Sequence, residues 1–303
     1  MSLTIQVVEQ YLYACTYQKN LNEKTVKAYR IDLSQFIEHY PELNTQLNRD
    51  IINKYIAYLN QRCKPRSVKR KIASLKAFCT WLEEENYLTD NPFQKLRIKL
   101  NEPFVLPKTI SLHVIERMLT AAYQAHEDSR TTQERKISLR DIATMELLFA
   151  TGMRVSELCG LNTEDIDLTN GTIKIHGKGA KERMLQITND AVIASLRKYI
   201  EEYRPCEHHP FFLTQRHTRL AEQSVRLSLQ KYAKQIGLSQ HITPHMFRHS
   251  FATLLLEEDV DIRYIQQLLG HSSIMTTQIY THVTTAKQRD ILLNKHPRNK
   301  ISV

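Results

Sequence analysis

Apolar residues recur at helical spacing through the first third of the chain. Val26, Tyr29, Leu33, Phe36 and Ile37 follow a helix start at Leu21-Asn22-Glu23-Lys24-Thr25, and steps of three and four place them on one helix face. Ile51, Ile52, Tyr55, Ile56 and Leu59 form a second stripe between about Asp50 and Asn60. Val68, Ile72, Leu75, Phe78, Cys79 and Leu82 form a third, from about Ser67 to Glu85. The chain from about Thr4 to Tyr87 therefore predicts a small helical bundle. Asn91-Pro92, Pro103 and Pro107 break the pattern, with the basic stretch Lys95-Leu96-Arg97-Ile98-Lys99 among them. Proline cannot continue a helix and favours extended chain, so 96–108 is expected to be a linker.

Beyond the linker the pattern is mixed. Ser111 caps a helix running to about Ala125, and Leu139 to Phe149 predicts another, ended by Thr151-Gly152. The period then shortens to two over Ile166 to Leu168, Thr172 to His176 and Arg183 to Ile187, which predicts three short strands. Asn170-Gly171 is a strong hairpin turn between the first two, and Gly177-Lys178-Gly179 turns the chain into the third. Helical spacing returns from Asp190 to Tyr203, from Ser224 to Ile236 and from Thr243 to the end. The expected fold is mainly α: an N-terminal helical bundle over 1–95, and over 109–303 a mostly helical domain with a small antiparallel three-stranded sheet.

Composition narrows the class. With 303 residues, 42% hydrophobic and 24% charged, the chain has enough apolar surface for two folded units and is not globally disordered. A net charge of +10 favours a polyanionic partner. No run approaches the ~18 apolar residues that cross a bilayer. Met1-Ser2-Leu3-Thr4-Ile5-Gln6 has no basic region leading into an apolar run, so no secretion signal and no membrane partner are expected. Cys15, Cys63, Cys79, Cys159 and Cys206 are odd in number and form no Cys-x-x-Cys pair, which fits reduced thiols in a cytoplasm.

Several positions carry potential chemistry. In Thr243-Pro244-His245-Met246-Phe247-Arg248-His249, Thr243 suits an N-cap and Pro244 the first helical position. His245 and Arg248 are three apart and share a face in the first turn, where free amides and the helix dipole favour an anion. Arg154 follows the Thr151-Gly152 break and precedes a second helix start, with Glu157 placed to orient it. Lys178 projects from a glycine-flanked turn. Gly270 suits a left-handed cap, with His271 in the junction behind it and Tyr280 on the next helix. Taken singly, each has an ordinary reading as a surface or packing residue. In the first half, Arg62, Lys64, Arg66, Lys69, Arg70, Lys71 and Lys76 form a run without an acid, suited either to phosphate contacts or to a solvated helix face.

Taken together, the order Arg154, Lys178, His245-x-x-Arg248, His271, Tyr280 resembles the active-site series of the tyrosine recombinase (phage integrase) family. Ala150 to Leu158 resembles that family's first box, Gly177 to Arg183 its lysine hairpin, and His245 to Leu256 with Leu268 to Val283 its second box. The likeness is greatest to the Xer-type branch and spans nearly the whole chain. Two departures stand out: Glu257-Glu258-Asp259-Val260 replaces a glycine turn, and the stretch from Gln124 to Lys136 is long. The resemblance implies a site-specific recombinase that cuts and rejoins DNA through a 3′-phosphotyrosyl bond, with no metal, ATP or other cofactor. Tyr280 would be the nucleophile, Arg154, Arg248 and His271 the phosphate ligands, His245 the proton-transfer helper and Lys178 the general acid. Lys64, Arg66, Lys69, Arg70, Lys71, Lys181 and Arg183 would contact double-stranded DNA at a specific site. Four protomers would act on two sites, with room for a second recombinase or accessory protein, and the tail after Val283 would dock on a neighbouring protomer.

Three other readings stand beside it: a type IB topoisomerase-like relaxing enzyme, a non-enzymatic DNA-binding regulator, and a metalloenzyme using His241, His245 and His249. The last lacks a His-Glu-x-x-His pattern and a carboxylate at ligand spacing.

Overall fold

A computed structural model describes residues 5–41, 47–94, 96, 108–177, 182–203 and 209–270. The chain divides into two compact units, Met1–Phe104 and Val105–Val303. Of the expected linker, 96 and 108 are the described positions.

Among the described residues the first unit holds four helices, α1 (Ile5–Tyr17), α2 (Glu23–His39), α3 (Arg49–Arg62) and α4 (Pro65–Glu84). Side chains of Asn22 and Asn48 cap α2 and α3 by accepting from Lys24 and Ile51 amides. Pro65 opens α4 two residues before the expected start, since its missing N–H costs nothing in a first turn. The predicted stripes meet in one core, where Tyr11 packs on Phe78 and Trp81 at ring distances of 5.2 and 5.4 Å and Phe36 packs edge-on to Tyr55.

The second unit begins with α5 (Leu112–Glu127) and α6 (Thr132–Thr151). Helix α6 starts seven residues before the expected Leu139. Thr131 and Glu134 form a reciprocal capping box, each bonding the other's backbone amide over 3.1 Å. The long stretch from Gln124 to Lys136 thus forms the end of α5, the connection 128–131 and the start of α6. A short helix α7 (Val155–Gly160) and a 3-10 turn at Thr163–Asp165 lead to strands β1 (Ile166–Asp167), β2 (Thr172–His176) and β3 (Glu182–Gln186). They form an antiparallel sheet in the order β1-β2-β3, with Ile173 opposite Leu185 and His176 opposite Glu182. Gly171 has φ +62°, and a Cβ there would lie 2.5 Å from the Ile187 carbonyl, so the hairpin requires glycine.

Helices α8 (Asp190–Tyr203), α9 (Glu222–Gln235), α10 (Pro244–Glu257) and α11 (Ile262–Leu269) follow. Helix α6 packs against α5, α8, α9 and α10 and lies in the middle of the core. Between α10 and α11, Asp259 takes φ +62° where a glycine turn was noted to be missing; aspartate tolerates that left-handed conformation. Helix beyond Gly270 was expected from the sequence, but 271–303 lies outside the described residues.

Candidate active site

The residues singled out in the second unit sit at element ends. Helix α6 closes on Gly152 with φ +59°, and a Cβ there would lie 2.4 Å from the Phe251 ring and 3.1 Å from the Leu269 side chain. Left-handed backbone and close packing both demand glycine. Arg154 is the N-cap residue of α7. Its Nη1 donates to Glu157 Oε1 over 2.7 Å and its backbone N–H to Oε2 over 2.8 Å. The three-residue spacing thus gives both a helix cap and a charge-assisted bond.

Glu157 carries a second guanidinium. Arg183, on β3, donates Nη1 to Oε1 over 3.1 Å and Nη2 to Oε2 over 2.8 Å. Burial of the carboxyl opposes ionisation, but the bonds and charge of Arg183, with those of Arg154, outweigh it and hold the pKa at about 2. An ordinary glutamate titrates near ~4.3. The ionised carboxylate therefore stabilises the fold fully above that unfolded value, and the contribution disappears as pH falls through the folded value. Converted at ~1.4 kcal/mol per pH unit, it is on the order of 3 kcal/mol. Urea unfolding between pH 5 and 3 is expected to show a shallower fall in stability for Glu157→Gln than for the wild type. Parallel profiles would show that the pairing contributes no net stability.

Helix α10 brings the next pair. Thr243 takes the N-cap position and Pro244 the first helical one, as the sequence predicts, but the Thr243 hydroxyl makes no capping bond. Arg248 is 3% exposed. Its Nη1 donates to the Gly152 carbonyl over 2.8 Å and its Nη2 to the Leu269 carbonyl over 2.7 Å. Those carbonyls end α6 and α11, so a buried cation rests on the negative ends of two helix dipoles. Partial burial, then the charges of Arg248, Arg226 and Arg154, push the His245 pKa below the ordinary imidazole value. His245 is thus kept neutral, with one ring nitrogen able to accept a proton. Burial, His245 and Arg248 push His249 lower still, to about 4. Arg154, His245 and Arg248 therefore share one electrostatic neighbourhood. The sequence reading missed Arg226, on α9, which pairs with Glu222 over 2.7 Å; nothing in its local spacing marks it.

Two of the expected DNA contacts are engaged by carboxylates within the fold. Arg183 was read as a DNA contact, but its side chain is 14% exposed and bound bidentately to Glu157, with Nε donating to the Leu268 carbonyl over 3.1 Å. Lys71, also read as a DNA contact, is 7% exposed, and its Nζ donates to Asp32 and Gln35. Asp32 is buried and takes further bonds from Arg70 and from Ser74 over 2.8 Å. In both cases a buried carboxylate captures the cation, because leaving that carboxylate unpaired would cost more than withdrawing the lysine or arginine from water. Lys64, Arg66, Lys69 and Arg70 lie on the exposed side of the α4 start. Lys178, Lys181, His271 and Tyr280 lie outside the described residues. Among the described residues no cluster of three or more metal-ligating side chains occurs, and no helix is long and apolar enough to cross a membrane.

Comparison with known proteins places this geometry. Residues 108–287 match the phage integrase family and residues 8–86 the N-terminal SAM-like domain of phage integrases. A tyrosine recombinase of Agathobacter rectalis is 50% identical, with 96% of each chain covered. Tyrosine recombinase XerD of Listeria monocytogenes is 37% identical over 96% of this chain and 99% of its own. A solved structure of the XerH site-specific recombinase bound to palindromic difH substrate, a post-cleavage complex, shares the fold. Its TM-score is 0.75 at 21% identity, over 95% of this chain and 84% of that one. With matches that reach across both units, the chain belongs to the phage integrase family of tyrosine recombinases.

Proposed function

We propose that the chain is a site-specific DNA recombinase that breaks and rejoins DNA through a covalent bond to Tyr280. The observation that carries this reading is that Arg248, on the same helix as His245, reaches the Gly152 carbonyl two residues before Arg154, and that the charges of both arginines act on His245. Phosphodiester transfer spreads negative charge over the nonbridging oxygens, and guanidiniums bind those oxygens with paired hydrogen bonds. Two of them supply charge neutralisation of the kind a divalent metal gives in other nucleases.

In the proposed reaction the Tyr280 oxygen attacks phosphorus, helped by His245, whose lowered pKa suits it to take up a proton. Lys178 protonates the leaving 5′ oxygen. Arg154, Arg248 and His271 hold the phosphate. The products are a 3′-phosphotyrosyl bond and a free 5′ hydroxyl, and a 5′ hydroxyl from another strand reverses the step. Bond energy is conserved in the tyrosyl ester, so neither ATP nor another cofactor is needed. Two such exchanges on two sites imply four protomers on DNA, in the cytoplasm, with room for a second recombinase or accessory protein. The exposed cations Lys64, Arg66 and Lys69, and Lys181 in the lysine hairpin, are the proposed phosphate contacts. The net charge of +10 supports such a surface.

The decisive experiment uses a pool of nicked suicide duplexes made from the source genome, incubated in EDTA with wild type or Tyr280→Phe. Protein-linked DNA is expected with the wild type alone, and sequencing it identifies the target site. An adduct with both proteins would remove Tyr280 as nucleophile. Relaxation of plasmids regardless of sequence would favour the topoisomerase alternative.

A further inference from the structure

Arg183 sits where three segments of the catalytic unit converge. It lies on β3, opposite Ile175 on β2, five residues after Lys178 in the sequence. Its two Nη groups grip both oxygens of Glu157, the carboxylate that also holds the Arg154 guanidinium and the α7 start. Its Nε reaches the Leu268 carbonyl at the end of α11, two residues before Gly270. The glycine itself reflects this contact: a Cβ on Gly270 would lie 2.8 Å from Arg183 Nη1 and 3.1 Å from both Cδ and Cζ. A side chain at 270 would have to displace the guanidinium from this position.

The planar fork matters as much as the charge. One side chain donates to two carboxylate oxygens and a backbone carbonyl at once, which needs the rigid spread of Nε, Nη1 and Nη2. A lysine at this position would carry the charge but not the geometry. The adjoining Leu269 carbonyl is taken by Arg248. Two arginines from different elements therefore fix consecutive carbonyls at the end of α11.

We propose that Arg183 is a positioning residue of the recombination reaction and not a DNA ligand: it locks Glu157 so that Arg154 is presented to the phosphate, and fixes the end of α11 from which the chain runs on to His271. This rests on the catalytic reading above, and it predicts a kinetic defect separable from binding. A misplacement of about 1 Å in a phosphate ligand lowers a rate by roughly 100-fold without weakening contacts elsewhere.

The test compares wild type, Tyr280→Phe, Arg183→Lys and Arg183→Ala on a nicked duplex carrying the target site. Single-turnover adduct formation is measured at saturating DNA, and dissociation constants are measured from 50 to 200 mM salt. An adduct with wild type and none with Tyr280→Phe establishes the catalytic reading independently of the outcome for Arg183. Both Arg183 variants are then expected to form adduct roughly 10–100-fold more slowly at saturation, with dissociation constants and salt slope unchanged. Adding Glu157→Gln to Arg183→Ala is expected to slow the reaction little further, because both act through one assembly. If Arg183 instead touched a phosphate, Arg183→Lys would react at nearly the wild-type rate and Arg183→Ala would lose about 0.9 from the salt slope; that result overturns the proposal. Urea midpoints identify variants that fail to fold, and unfolding of the lysine variant as well would overturn it too, by making Arg183 a support of the fold as a whole.

Discussion

Replacing Arg248 by alanine is expected to lower covalent adduct formation by about three orders of magnitude and to destabilise the catalytic unit. The kinetic figure follows from losing one preorganised donor to the phosphate oxygens, an effect of roughly 10²–10³, together with disturbance of the neighbours it holds. The structural part has a separate origin. Arg248 is buried and donates to Gly152 and Leu269, the carbonyls that end α6 and α11. Removing it leaves both acceptors inside the fold without these donors, at about 1–3 kcal/mol each where water cannot replace it. Arg248→Lys separates the two effects. A single ammonium can satisfy one of the carbonyls and keep part of the stability, but it cannot offer a paired donor to the phosphate. A urea midpoint near that of the wild type with adduct formation still severely reduced is the expected pattern. Adduct formation near the wild-type rate in Arg248→Ala would remove the residue from the phosphate site.

The contrast between Arg154 and Arg183 shows where sequence reading reaches its limit. Arg154 and Glu157 are three residues apart at a helix start, so their bond follows from local geometry. Arg183 finds the same carboxylate from 26 residues away, and Lys71 finds Asp32 from 39. Spacing reports which residues are basic in such cases, but not which acid the fold brings beneath them. Both look like available cations because the run around each contains few or no acids nearby, whereas the pairing partner arrives through tertiary packing. Gly270 is legible as a left-handed helix cap, and the structure adds the close approach of the Arg183 guanidinium.

Helix α6 shows a similar limit for the fold. Leu139, Ile142, Ala143, Met145, Leu147 and Leu148 are all buried, together with Asp141, Thr144 and Glu146. A helix covered on every side loses the one-sided stripe by which helices are recognised. Its buried stretch is nonetheless legible from Leu139 on. Thr132 to Ser138 are polar apart from Ile137 and mostly exposed, so they carry no apolar stripe to mark the helix start, although Thr131 and Glu134 spell a capping box. The bundle helices, each with one face turned to water, and the hairpin at Gly171 were legible because their patterns are local.

Lys178→Ala is expected to form adduct roughly 10²–10⁴-fold more slowly on ordinary DNA and to recover most of that loss on DNA with sulfur in place of the scissile 5′ bridging oxygen. An alkoxide leaves poorly unless it is protonated, whereas a thiolate is stable near neutral pH and leaves unaided. The sulfur substrate thus removes the need for a general acid and for nothing else. The described strands β2 and β3 end at the residues that flank 177–181, the segment of the sequence that contains Lys178. His176 and Glu182 face each other as the last rung between β2 and β3. The His176 ring reaches Asp165 Oδ1 over 2.8 Å through Nε2 and Glu182 Oε1 over 3.2 Å through Nδ1. Lys178→Arg sharpens the test. Arginine keeps the positive charge but holds its proton too tightly to give it up (pKa above ~12). It should therefore be slow on ordinary DNA and normal on the sulfur substrate if Lys178 acts by proton donation. If the sulfur substrate rescues neither variant, Lys178 serves the phosphate charge and the proton comes from another group. If Lys178→Arg is active on ordinary DNA, charge alone suffices and the acid must again be sought elsewhere.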